Sequence, residues 1–266
     1  MSTPPGTLAS RGGAPVRSTF LPFSRPSIGA REKELVIEAL ESGWITTGPK
    51  AHELGERIAA RAGVRHGLAL NSATGGLHLA LAALGVGPGD EVVTSTYTFV
   101  ACVNVIEHVG ARPVLVDVEP DTLCLDPRAV ERALTPRTRA VMPVDYGGHP
   151  ADLDAIGAAA RARGIPLVED AAHALGAALG GRPVGSLSDV TVFSFYATKN
   201  LTTGEGGAVV TDDDELAARL DLLALHGMDR DAWKRYSDTG SWYYEITSPG
   251  FKYNLSDVLA AVGLGQ

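Results

Sequence analysis

Lys199 stands where the apolar run 190-VTVFSFY-196 gives way to the Thr- and Gly-rich stretch 197-ATKNLTTGEGG-207. An amine held at the end of a buried strand loses hydration, so its pKa falls and more of it is neutral and nucleophilic. Neutral amines condense with aldehydes. A carboxylate, Asp170, closes a second apolar run, 166-PLVED-170. Its charge is costly there unless a positive partner, such as a protonated ring nitrogen, meets it. His173 follows three residues later and could flank the same ligand.

A third stretch, 71-NSATGG-76, precedes Leu77, Ala80, Leu81 and Leu84, whose spacing predicts a buried helix beginning near Thr74. The small residues Ser72, Ala73, Thr74, Gly75 and Gly76 leave the first amides accessible, and the helix dipole favours an anion there. The hydroxyl of Ser194 could touch the same anion, and Phe99, in 97-YTFVACVNV-105, could offer a flat face to a ring. Each feature alone has an ordinary explanation. A capped helix with a tight turn explains 71–76, a core aromatic Phe99, an N-cap Asp170, a satisfied buried imidazole His173, and an amine reaching for water Lys199. Their joint occurrence is more telling. Pyridoxal phosphate needs amides and hydroxyls for its phosphate, a cover for its ring, a carboxylate for its pyridine nitrogen and a lysine for its aldehyde.

These residues must be positioned by a framework, and the chain alternates strand-like with helix-like segments. GLALNS, EVVTST, PVLVDV, AVMPVDY, PLVEDA, VTVFSFY and GAVVTD read as strands. REKELVIEALESG, AHELGERIAARAG, TGGLHLALAALG, TFVACVNVIEHVG, PRAVERAL and DLDAIGAAARARG read as helices. The alternation predicts an α/β fold with a mostly parallel central sheet covered by helices on both faces. Ligands of such sheets gather at the carboxyl ends of the strands, where Lys199 and Asp170 stand. Ser256 is a plausible N-cap for a last helix within NLSDVLAAVGLGQ.

Composition narrows the function classes. The chain has 266 residues, a formal charge of -8 and no dense Lys/Arg run, which argues against nucleic acid and anionic membranes as partners. No apolar run has the ~18 residues of a membrane span. The two cysteines, Cys102 and Cys124, lack metal-ligand spacing, so no metal is expected. So few cysteines suit a reducing compartment, and the expected location is cytoplasmic. The opening MSTPPGTLASRGGAPVRST lacks the apolar core of a signal peptide and reads as a disordered arm, residues 1–19. TTGEGG lacks the GK[ST] ending of a nucleotide-triphosphate loop.

From FLPFSRPSIG at residue 20 to the last residue, the sequence resembles the DegT/DnrJ/EryC1/StrS family of sugar aminotransferases, within the aspartate aminotransferase-like fold. The motifs that carry the resemblance are GWITTGPKAHELGERIA, NSATGGLHLALAALGVGPGDEV, VEDAAHALGA, FSFYATKNLTTGEGGAVVT and PGFKYNLSDVLAAVGLGQ. The resemblance implies that Lys199 bonds the cofactor aldehyde and shuttles a proton, that Asp170 pairs with the pyridinium nitrogen, and that His173 lies near the ring. It implies Phe99 as the ring cover and Ala73, Thr74 and Ser194 as phosphate contacts. Asn254, in GFKYN, is the residue assigned to reach the phosphate of a neighbouring subunit, so a homodimer with shared active sites is implied. Glutamate and a keto-sugar linked to a nucleotide are the implied substrates. Some relatives instead remove a sugar hydroxyl and carry His where Lys199 stands, so Lys199 favours amino transfer over that lyase chemistry.

By the same resemblance, residues 20–249 form the cofactor-binding large domain, and 250–266 begin the helix leading to a C-terminal small domain truncated in this chain. A non-catalytic cofactor-binding fragment is therefore the alternative from another class. Trp242, Tyr243 and Tyr244 are candidates for lining the substrate site or for core and interface packing.

Overall fold

Strand burial dictates the layers in the computed structural model, which describes residues 6–228 and 245–266. Trp242, Tyr243 and Tyr244 lie outside the described residues. Along the chain run α1 (Ala30–Glu41), α2 (Pro49–Ala62), β1 (His66–Leu70), α3 (Ala73–Ala83), β2 (Glu91–Ser95), α4 (Val100–His108) and β3 (Arg112–Val116). Then come α5 (Pro127–Ala133), β4 (Thr138–Met142), α6 (Leu153–Arg161), β5 (Val168–Asp170), β6 (Ala178–Leu179) and β7 (Arg182–Pro183). The described chain closes with β8 (Val190–Ser194), β9 (Gly207–Thr211), α7 (Asp214–Ala224) and α8 (Asp257–Gly265). Residues 6–29 carry only a short turn of tighter helix, Ala9–Arg11.

Hydrogen bonding orders the strands β3-β2-β4 and β5-β8-β9-β1. Two parallel bridges, Val141 to Leu167 and Val144 to Asp170, join β4 to the β5 segment, so the two halves are continuous. The pairs β2–β3, β2–β4 and β5–β8 are parallel, and β9 alone runs against its neighbours β8 and β1. The expected mostly parallel sheet is therefore what forms.

Because successive side chains on a strand point to opposite faces, each strand feeds two cores. Val92, Met142, Val168, Val192 and Val209 meet α3, α4 and α7 on one face. On the other, Ala69, Phe193, Ala208 and Val210 meet α2 and α8, while Val93 and Val141 meet α5 and α6. Leu77, Ala80 and Leu81 of α3 are buried as the sequence spacing predicts, Leu84 at the helix end is partly buried, and Leu79 is buried as well. Each fully buried leucine contributes on the order of 1.5–3 kcal/mol. Gly76 allows α3 to lie this close: a Cβ there would fall 2.8 Å from the Val192 Cγ1 methyl.

The last segment belongs to the same body. Asp257, at the first turn of α8, is buried, and its carboxylate accepts the N–H groups of Gly48 (2.8 Å), Ala51 (2.9 Å) and Lys50 (3.1 Å), which caps α2. Ser256 Oγ accepts the Leu259 N–H as the N-cap of α8, in the role read from sequence. Two features exceed the sequence reading: the hairpin β6–β7, and α7, whose N-cap Asp213 accepts the N–H groups of Glu215 and Leu216.

Candidate active site

Asp170 is the last residue of β5, held on both sides. Its N–H donates to the Pro143 carbonyl (2.9 Å), its carbonyl accepts the Asp145 N–H (3.0 Å), and it stands opposite Val192 of β8. Asp170 is 5% exposed. Oδ1 accepts the Ala172 N–H at 3.1 Å, and Oδ2 accepts the thiol of Cys102 at 2.9 Å. The ordinary explanation of Asp170 as a local cap is thus met by one oxygen only.

Lys199 follows the neighbouring strand, β8. Its turn is tightly braced: the Lys199 N–H donates to Tyr196 O, the Thr203 N–H and Thr202 Oγ1 both donate to Phe195 O, and the Gly204 N–H donates to Thr202 Oγ1. Thr202 and Thr203 are buried, so the polar stretch read from sequence is a clamp beneath the lysine. Burial lowers the Lys199 pKa below its ordinary value, and the charge of Asp170 offsets part of that. His173 is exposed rather than buried, and its pKa is lowered by desolvation and by Lys199, against Asp170. Lys199 feels the charge of Asp170, and His173 feels both, so the three stand near one another past the ends of β5 and β8.

The stretch expected to bind an anion opens α3 next to the end of β8. Helix α3 starts at Ala73, one residue before the expected Thr74, because Ser72 is the N-cap and its Oγ accepts the Gly75 N–H at 2.9 Å. The N–H groups of Ala73 and Thr74 are first-turn donors without an intrahelical acceptor. Gly207 of β9 packs against this turn: a Cβ there would lie 2.6 Å from Ala73 N and 2.8 Å from Phe193 O. Gly207 is also the register partner of Ser194, itself at the end of β8. Ser194 and Ala73 are therefore brought to one spot through a residue that must lack a side chain. Ser194 is buried and accepts the Tyr196 N–H at 3.4 Å, leaving its own hydroxyl proton to donate.

Phe99 directly precedes α4 and is 73% exposed, with Val100 beside it also exposed. Asn254 is tied within its own chain: it bridges to Leu70, donates to Thr47 Oγ1 and accepts from Lys252 Nζ, the last two at 2.5 Å. It lies next to the 71–76 turn in sequence pairing, since the Asn71 N–H donates to Tyr253 O at 2.8 Å.

Cys102 and a layer behind Asp170 were not identified as site residues by sequence. Asp145, after β4, and Glu169 of β5 are both buried. Asp145 Oδ1 accepts the Ala151 N–H and Glu169 Oε2 accepts the Thr191 hydroxyl, but Asp145 Oδ2 and Glu169 Oε1 meet no N–H or hydroxyl donor. Burial and the neighbouring Glu169 push Asp145 up to about 9, and burial raises Glu169 as well. The signal available in sequence was the doubled carboxylate Glu169–Asp170, an unusual load for the end of a buried strand. Among the described residues no cluster of His, Cys, Asp and Glu could hold a metal ion, and no helix is long and apolar enough to cross a membrane.

Comparison with known proteins gives this geometry its context. The curated Bacillus subtilis (strain 168) spore coat polysaccharide biosynthesis protein SpsC is 53% identical over 250 residues, covering 94% of this chain and 64% of the relative. The Streptococcus pneumoniae protein Spr1654 in its PLP form superposes with a TM-score of 0.84 at 40% identity, covering 92% of this chain and 65% of that one. Spr1654 was also solved in apo and PMP forms. DesI, solved in the presence of its TDP-sugar product, superposes with a TM-score of 0.80 at 42% identity, covering 90% of this chain and 58% of DesI. The chain thus spans just under two thirds of the length of these relatives. The family description matches residues 26–266, nearly every residue after the N-terminal arm. The chain belongs to the DegT/DnrJ/EryC1/StrS aminotransferase family, whose cofactor is pyridoxal phosphate.

Proposed function

We propose that this protein is a pyridoxal-phosphate-dependent aminotransferase that moves an amino group, with glutamate as donor, to the ketone carbon of a nucleotide-linked sugar. The observation that carries the reading is Lys199, its pKa lowered by burial, following β8 and feeling the charge of Asp170 at the end of the adjacent strand β5. The residues fit the cofactor. Gly207 keeps the 72–74 turn bare where a Cβ would crowd Ala73 N, first-turn amides and Ser194 converge there, and a buried carboxylate stands by. Ala73, Thr74 and Ser194 would hold the phosphate, Asp170 the ring nitrogen and Phe99 the ring face. Asn254 of a second subunit would complete the phosphate contacts in a homodimer.

Pyridoxal phosphate supplies an aldehyde that takes up amines and a ring that accepts the electron pair released at the substrate carbon. The chain supplies the rest. Lys199 Nζ would hold the cofactor at its aldehyde and would carry the proton at the substrate carbon. Asp170 would keep the ring nitrogen positive, and His173 would border the ring. A lysine rather than a histidine at position 199 favours amino transfer over removal of a sugar hydroxyl. The sugar substrate is supported by DesI, solved with a TDP-sugar product, and by the polysaccharide role of SpsC. A cytoplasmic setting suits the two free thiols. The test is spectroscopic: glutamate should shift the visible band of the purified holoprotein, and one member of a panel of keto-sugar nucleotides should restore it. A band that ignores every amino donor would overturn the proposal.

A further inference from the structure

Cys102 sits in the first turn of α4 with no exposed surface and directs its sulfur at the one carboxylate the proposed chemistry needs. A thiol at a helix N-terminus ordinarily gives up its proton more readily. Here burial and the facing carboxylate win, and the Cys102 thiol is held well above its usual pKa. It is therefore an S–H donor and not a thiolate. Its neighbour Thr98 is 3.1 Å away, placed to donate its hydroxyl to the sulfur. Asp170 then has one lone pair of Oδ2 engaged by Cys102 and one of Oδ1 engaged by the Ala172 N–H, at 2.9 and 3.1 Å. Two contacts from two elements, α4 and the turn after β5, fix the carboxylate plane, and each oxygen retains a lone pair.

We infer that Cys102 is a positioning residue, one that orients Asp170 through an S–H···O hydrogen bond and so sets how firmly that carboxylate can hold a ring nitrogen. The inference deepens the proposed function and rests on it for the identity of the ring, but the hydrogen bond itself does not. Phe99 begins the same helical turn, so the ring cover and the carboxylate's orienting group are placed by one element.

The test has two arms on the full chain. In the first, Cys124→Ala leaves Cys102 as the only thiol, since the sequence has two cysteines. The S–H stretching band, which falls in an otherwise empty infrared window, is then read without cofactor. It should lie at lower frequency than in the same protein carrying Asp170→Ala, with Asp170→Asn, a neutral acceptor, in between. An unshifted band that ignores both substitutions at position 170 would overturn the inference. In the second arm, pyridoxal phosphate affinity is measured by fluorescence for Cys102→Ala and Cys102→Ser, which differ by one hydroxyl. Loss of one hydrogen bond predicts about a threefold to tenfold weaker affinity for Cys102→Ala, with Cys102→Ser restoring most of it. Equal affinities for the two variants would mean that Cys102 only fills space, and would refute the positioning role. A shifted band in a chain that takes up no cofactor would uphold the hydrogen bond and defeat the proposed function instead.

Discussion

At the scale of single residues, the group proposed to react is an amine whose pKa the fold lowers. Burial lowers the pKa of Lys199, and Asp170 raises it in part. The neutral amine attacks the aldehyde, so the rate of pyridoxal phosphate uptake by the apoprotein should reach half its plateau below the ordinary lysine value of about 10.4. Asp170→Asn removes the opposing charge and should move that midpoint to still lower pH. A stopped-flow pH series checks both, and a midpoint that rises in Asp170→Asn would contradict the assignment. Lys199→Ala should lose the covalent band and, because a positioned proton carrier is worth about 10²–10⁴-fold, turnover with it. Asp170, His173 and Lys199 stood out as candidates in sequence because Asp170 closes one apolar strand, His173 comes just after it and Lys199 comes after another. Cys102 was not, because its importance comes from a contact across 68 residues that spacing cannot reveal.

At the scale of elements, the site depends on close approach between neighbours. Gly207 of β9 touches the turn that opens α3, and the atoms a Cβ would strike, Ala73 N and Phe193 O, are backbone and cannot rotate away. Gly207→Ala should cost about 1–3 kcal/mol as overpacking does, and should weaken phosphate binding more than it weakens folding. Comparing denaturant midpoints with affinities for free pyridoxal phosphate separates the two. The seam between β4 and β5 gives a pH signature. Asp145 has its pKa raised from 3.8 to about 9, so between those values the folded chain keeps a proton that the unfolded chain releases. The stability tied to that proton is complete below the lower value and is lost as pH climbs toward the upper one. Asp145→Asn, neutral at every pH, should therefore gain on the parent from pH 5 to pH 9. The upper bound is one proton's worth, about 1.4 kcal/mol per pH unit. Thermal melts of the two proteins read the difference, and a gap that does not grow with pH would show that Asp145 keeps no extra proton in the fold. The mostly parallel sheet and its two-faced burial followed from apolar runs alternating with helical spacing. The reversed direction of β9 did not, because Gly207–Thr211 reads alike in either sense. Helix α7 was overlooked although Asp213, Leu216 and Leu220 carry a cap and a helical repeat.

At the scale of the whole molecule, apolar surface near the site asks for a cover. Tyr97, Phe99, Val100 and Tyr146 are exposed around the carboxyl ends of β2 and β4, and the Tyr97 and Tyr146 hydroxyls meet at 3.0 Å. A second copy of the chain is the cover implied by the family reading, so sedimentation at micromolar concentration should give a dimer. Phe99→Ser should weaken both the dimer and cofactor affinity. A monomeric parent protein with full cofactor binding would remove Asn254 from the proposed shared site.

The most direct measurement is borohydride reduction of the holoprotein followed by peptide mapping. The reduced pyridoxyl group should appear once per chain, on the peptide containing Lys199. Its appearance on another lysine, or its absence from folded protein, would contradict the assignment of Lys199 as the cofactor's attachment point.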